Sequence, residues 1–130
     1  MLEKSNEATY QRPEGDRLLD ASLVTMDLNQ FIEQLKNEST WKESDRNSIT
    51  IFKSDTVTIV LMGLHENAEL KTHTANGIIS LQVLDGQLKF ITEEQTVELQ
   101  KGMMLALHKK IPHSVIALKE TFCVLTVTIV

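Results

Sequence analysis

A single cysteine, Cys123, among 130 residues has no second thiol to pair with inside the chain, so a disulfide framework is excluded. Its neighbours Phe122, Val124 and Leu125 are hydrocarbon and bring no cation near it in sequence, which reads as a small core residue rather than a reactive thiol. Basic residues are outnumbered: 13 Lys and Arg stand against 18 Asp and Glu, a net charge of −5. That balance argues against nucleic acid, which needs a basic face to neutralise phosphates. It argues equally against a polybasic membrane contact. No run approaches the roughly 20 apolar residues of a membrane helix. Met1-Leu2-Glu3-Lys4-Ser5-Asn6-Glu7 lacks the apolar segment of a secretory signal, so the expected location is the cytoplasm. There is no glycine-rich phosphate loop, no repeat at a solenoid period and no complete catalytic constellation.

What is present is an ordinary globular balance, 42% hydrophobic and 24% charged, in a chain long enough to bury one core. Residues 1–20 are polar and hold one turn, Arg12-Pro13-Glu14-Gly15. They are expected to form an arm that packs through Tyr10, Leu18 and Leu19. One helix follows, over about 28–36. Asp27 is its N-cap and Gln30 stands at the capping-box position. Leu28, Phe31, Ile32 and Leu35 fall at i, i+3, i+4 and i+7, one apolar stripe suited to the outside of a sheet. Asn37 to Thr40 ends it, and Trp41 beyond it is expected to pack on the sheet. Residues 1–47 are therefore read as arm and helix, and 48–130 as the main body.

From Ser48 the period changes to that of strands. Ile49-Thr50-Ile51-Phe52 and Thr56 to Met62 are β-branched and apolar. Further strands are expected at Ile78–Leu84, Leu88–Ile91, Thr96–Leu99, Met103–Leu107, Ser114–Leu118 and Phe122–Val130. Residues 57–65 and 69–73 read as a hairpin about the His65-Glu66-Asn67-Ala68 turn. Asp85-Gly86 reads as a two-residue hairpin turn, and Glu93-Glu94-Gln95 as another turn carrying solvated charge. Met103 and Met104 read as core. Eight or nine short strands at near-regular spacing mark an all-β barrel or sandwich. The last strand is so apolar that it must be paired or covered. Pairing with a second subunit is one solution, hence an expected homodimer, and an interior position in the same barrel is the other.

This pattern resembles the small single-domain cupins, the double-stranded β-helix also called the RmlC-like jelly roll. The family's first motif is G-x5-H-x-H-x3-4-E-x6-G. Aligned on Gly86, the chain has Asn67 at the opening glycine, His73 at the first histidine, Ala75 at the second and Ile79 at the glutamate. The second motif is G-x5-P-x-G-x2-H-x3-N. Gly102 and His113 match it, with His108 at the proline, Lys110 at the glycine and Ala117 at the asparagine. The 15 residues between Gly86 and Gly102 match the short spacer of the small cupins. The resemblance covers Ile49 to Val130 and implies a barrel with a pocket in its mouth, often holding a metal on three histidines and a glutamate.

Ala75 and Ile79 cannot coordinate a metal, and two imidazoles leave most of a coordination sphere to water. His65 reads as a solvated turn residue too far from His73 to share an ion. His108 and His113 bracket a loop between two strands. Either they stand opposite each other and join His73 in a three-histidine site, suited to zinc, iron or copper, or His108 lies on the rim and points to solvent. Two functions follow. The first is a binding module whose pocket of His73, His113, Ala75 and Ile79 takes a small organic ligand without tightly bound metal. The alternative is an enzyme of oxygenase or isomerase type, with zinc, iron, copper, manganese or nickel on His73, His113 and His108.

Overall fold

Successive side chains of a strand point to opposite faces, so a strand with one face on a core buries every second residue. That alternation is present in β6 (Ile78–Asp85), where Ile79, Leu81 and Val83 are buried, and in β10 (His113–Ala117), where His113, Val115 and Ala117 are buried. It already places His113 on an inward-facing row.

A computed structural model describes residues 4–5 and 18–129. Tyr10 and the Arg12-Pro13-Glu14-Gly15 turn lie outside the described residues. Strands β1 (Lys4–Ser5) and β2 (Leu18–Asp20) pair antiparallel. Helices α1 (Leu28–Asn37) and α2 (Ser39–Glu43) follow. Then come β3 (Arg46–Lys53), β4 (Val57–Leu64), β5 (Glu69–His73), β6, β7 (Gln87–Ile91), β8 (Thr96–Gln100), β9 (Met104–Leu107), β10 and β11 (Thr121–Thr128). They form a five-stranded sheet in the order β3-β4-β11-β6-β9 and a four-stranded sheet in the order β5-β10-β7-β8. All the pairings are antiparallel. No helix among the described residues is long and apolar enough to cross a membrane.

Two cores hold this arrangement. Between the sheets, Ile79, Leu81, Val83 and Cys123 meet Leu88, Phe90, Leu99 and Val115. Outside the five-stranded sheet, α1 lays its stripe on Ile49, Ile51 and Leu61, with Leu35 wholly buried and Leu28, Phe31 and Ile32 packed beside it. Burying a leucine of this kind contributes roughly 1.5–3 kcal/mol. The helix starts as its sequence dictates: the Asp27 carboxylate accepts from the Gln30 N–H at 3.2 Å. Its C-terminal end is tied to the sheet by buried Asn47, which donates to the Leu35 carbonyl (3.1 Å) and to Glu38 (2.9 Å). The second helix was not expected. It holds Trp41, buried against Phe122 and His65.

Several expected pairings are replaced by others. β4 pairs with β3 and β11, while β5 pairs with β10, so residues 57–65 and 69–73 are not a hairpin. Asp85-Gly86 does not join paired strands either; there the chain leaves the five-stranded sheet for the four-stranded one. β11 is hydrogen-bonded along its length to β4 on one side and β6 on the other. An interior strand needs no second subunit to cover its edge, so its apolarity no longer argues for a dimer. Met103 and Met104 are exposed at the edge strand β9 instead of in the core (43% and 58%).

Four of the six crossings between sheets share one backbone feature. The positive-φ residues among those described are Asn67 (72°), Gly86 (95°), Gly102 (87°) and Lys110 (65°). Each stands on a connection that changes sheet. At Gly86 a Cβ would collide with the Glu120 carbonyl oxygen, whereas at Gly102 nothing lies within 4 Å. Gly86→Ala therefore combines a left-handed strain of about 1–2 kcal/mol with overpacking of about 1–3 kcal/mol. Gly102→Ala carries only the first. Chemical denaturation should show the Gly86 variant losing clearly more stability, and equal losses would contradict the packing argument. Lys110→Gly should gain about 0.5–1 kcal/mol by the same backbone reasoning.

Candidate site at the barrel mouth

β5 and β10 run antiparallel with His73 and His113 directly opposite one another. Directly opposed residues project to the same face of a sheet. A register shift between His113 and Val115 accommodates this, since Val115 pairs with Leu70. The two imidazole centroids are 4.4 Å apart at an interplanar angle of 59°. His113 is buried and His73 exposed. On its other side His113 stacks on Phe90, with centroids 5.3 Å apart and planes 11° from parallel.

The two histidines are fixed by the same local bond. Nδ1 of His73 donates to the Lys71 carbonyl at 2.7 Å, and Nδ1 of His113 donates to the Ile111 carbonyl at 2.8 Å. A carbonyl only accepts, so each Nδ1 carries the proton. In the neutral form each ring then keeps its lone pair on Nε2. Neither Nε2 has a hydrogen-bond partner among the described residues.

Both rings line a small cavity that runs inward between the sheets, about 30 Å³ in volume and walled mainly by Met62, Leu70, Ile79, Phe90, Cys123 and Leu125. That is room for a water or two, far below the roughly 300–1,000 Å³ of pockets that enclose a whole drug-sized ligand. Ile79 lies in this wall, where the family motif would have its glutamate. Ala75 does not; it packs against the core nearby, and its carbonyl accepts from Lys110 N at 2.8 Å.

His108 is not brought to the pair. β9 belongs to the five-stranded sheet and β10 to the four-stranded one, so residues 108 and 113 do not face each other across a hairpin. His108 is exposed on the loop between them. Among the described residues no three His, Cys, Asp or Glu side chains are grouped closely enough to hold a metal ion. Two imidazoles without a carboxylate do not fit a tightly held first-row divalent ion. His65 is not a solvated turn residue: it stacks on Trp41 at 3.6 Å and donates from Nε2 to the Trp41 carbonyl at 2.7 Å. That bond spans 24 residues of sequence, which no local pattern announces. Phe90, the stacking partner of His113, was also not singled out from sequence, because its strand position reads as ordinary core.

Cys123 lines the cavity as a thiol. Burial pushes its pKa up to about 12, so at neutral pH it supplies neither a nucleophile nor a thiolate ligand. A raised folded-state value contributes stability below the unfolded value of about 8.5, and that contribution is lost as pH climbs toward the folded value. Native protein should therefore resist a disulfide reagent under mildly alkaline conditions and release one equivalent only when unfolded. The unfolding free energy should fall between about pH 8.5 and about 12 more steeply than in Cys123→Ala. Rapid labelling of native protein would contradict the burial of this thiol.

Comparison with known proteins gives a consistent fold. No family model and no curated protein matches the sequence. Among solved structures, a cupin-2 domain containing protein from Shewanella frigidimarina superposes with a TM-score of 0.65 at 16% identity, over 80% of this chain and 94% of that one. A conserved protein of unknown function from Streptococcus pyogenes gives 0.65 at 19% identity, over 86% and 91%. Salicylate 1,2-dioxygenase from Pseudaminobacter salicylatoxidans gives 0.59 at 18% identity, over 65% of this chain and 26% of that one. Identities this low establish the fold alone, and the fold is that of the small cupins.

Proposed function

We propose that this cupin-fold chain is a binding protein for a small organic ligand, which it grips by one end at the barrel mouth without a resident metal. The observation that carries the reading is the shared fixing of His73 and His113. With both Nδ1 protons committed to backbone carbonyls, the pair offers two neighbouring acceptors. The matching group is a hydrogen-bond donor on the ligand: a hydroxyl, a protonated carboxyl or an ammonium. The cavity of about 30 Å³ accepts only an end group, so the body of the ligand stays in the mouth. The aromatic face of Phe90 and the side chains of Ile79 and Leu70 make the surroundings apolar, which strengthens a well-aligned hydrogen bond. We further propose a cytoplasmic setting, where an unpaired thiol such as Cys123 persists.

The alternative, a metal-dependent enzyme, draws support from the same lone pairs, because an imidazole fixed through Nδ1 is oriented for ligation through Nε2. The donor set weighs against it, since Ala75 and Ile79 replace two family ligands and His108 lies apart.

Two measurements test the proposal together. Protein purified without chelator or affinity metal should carry far less than one metal per chain by elemental analysis. A panel of small alcohols, acids and amines should contain members that raise the melting temperature, as ligands of the native state do. His113→Ala should lose that response while keeping its unliganded fold. Near-stoichiometric metal, lost in both His73→Ala and His113→Ala, would overturn the metal-free reading and establish the enzyme.

A further inference from the structure

The barrel carries a second concavity on its side. β8 and β9 are the outer strands of their respective sheets, and the seam between them is not closed by hydrogen bonds. At its outer end a cleft of about 240 Å³ is walled by Glu93, Glu94, Leu107, Ile111 and Pro112 together with Thr92 and Gln95. At its inner end a space of about 120 Å³ is walled by Phe90, Val97, Leu105 and Ala106. Thr92, Gln95 and Leu107 line both, so the two form one continuous groove. It has an acidic lip and an apolar floor.

The lip is rigid. The Thr92 hydroxyl donates to the Gln95 carbonyl (3.1 Å) and accepts from the Gln95 N–H (3.2 Å), while Thr92 N–H donates to the same carbonyl (2.9 Å). This closes the β7–β8 turn with Glu93 and Glu94 at its tip. Both carboxylates are exposed and have no ion-pair partner among the described residues. Lys109 and Lys110 belong to the opposite loop but do not line the groove. Ile111 in that loop is 37% exposed, which leaves apolar surface open to an occupant.

We propose that this groove binds an organic cation with a short apolar body: the body along Leu107, Ile111 and Val97, the ammonium at Glu93 and Glu94. Charge complementarity selects the cation. The carboxylates stay solvated at the lip, so pairing them costs little desolvation, and the net charge of −5 favours approach of a cation. The site is separate from the histidine pair, and Phe90 is the wall between them: it lines both spaces and stacks on His113.

The probe is n-hexylamine at neutral pH, titrated into the full chain and followed by amide NMR, with 1-hexanol and hexanoate as controls. The amine should give saturable shifts at Thr92–Gln95 and Leu105–Leu107. The variant with both Glu93→Gln and Glu94→Gln should bind it about fivefold more weakly. Ile111→Lys, at an exposed loop position, should weaken it by about tenfold or more through like charge and lost apolar contact. Ala106→Trp should block the inner end. His73→Ala, which touches no wall of the groove, should leave amine binding there intact, which keeps this result independent of the barrel-mouth reading. Equal affinity for 1-hexanol, an unaltered response in the double glutamine variant, or no saturable shift would each overturn the proposal.

Discussion

Everything in this protein depends on where the chain passes from one sheet to the other. A barrel of two antiparallel sheets surrounds an interior only if successive strands change layer, and each change demands a tight corner. Four of these corners use a left-handed backbone, at Asn67, Gly86, Gly102 and Lys110. Those are the positions where both family motifs have glycine. Asparagine takes that conformation at modest cost because its short side chain can bond locally. Lysine takes it at greater cost, held at Lys110 by the bond from its N–H to the Ala75 carbonyl. The chain thus has left-handed corners at the four positions where the motifs it resembles have glycine, while Ala75 and Ile79 stand at two of their four ligand positions. The corners fix β5 against β10, and that pairing brings His73 opposite His113.

The same constraint explains what could be read from sequence. Strand positions were legible because β-branched alternation is local, and α1 was legible because its cap and stripe lie within ten residues. Strand partners were not. A turn signal such as Asp85-Gly86 announces that the chain turns, but not whether the next strand pairs with the last or joins the other sheet. The hairpin expected around His65 failed on this point, and so did the expected facing of His108 and His113. α2 escaped notice because five residues with no capping side chain give too short a pattern. It exists through Trp41, which is packed against Phe122 and His65 far along the chain.

At the site, the resemblance led to His73 and His113 through spacing, and the structure adds what spacing could not contain. A tautomer is set by where a backbone carbonyl points, and the two carbonyls that fix these rings lie two residues upstream of each. Phe90 was invisible for a related reason: an inward phenylalanine on a central strand is ordinary until a neighbouring strand places an imidazole parallel to it. The grooved seam was invisible because its walls come from three separate stretches, 90–97, 105–107 and 111–112.

The interior around position 79 is apolar and uncharged. A carboxylate at position 79 would need compensation for burial among hydrocarbon, and a metal ion would supply it. Isoleucine needs none; it is nearly fully buried and forms part of the wall of a cavity too small for an organic molecule. Cys123, held as a thiol, adds no charge. What remains is an apolar recess closed at one end by two imidazoles whose Nδ1 protons are held by the main chain. The Glu93-Glu94 lip of the groove, on the far side of Phe90, is exposed and has no ion-pair partner among the described residues. The side chain with a face on each space is therefore a phenylalanine, whose rotation would alter both His113 and the groove. Ile111 is a second link, since it walls the groove and its carbonyl holds His113.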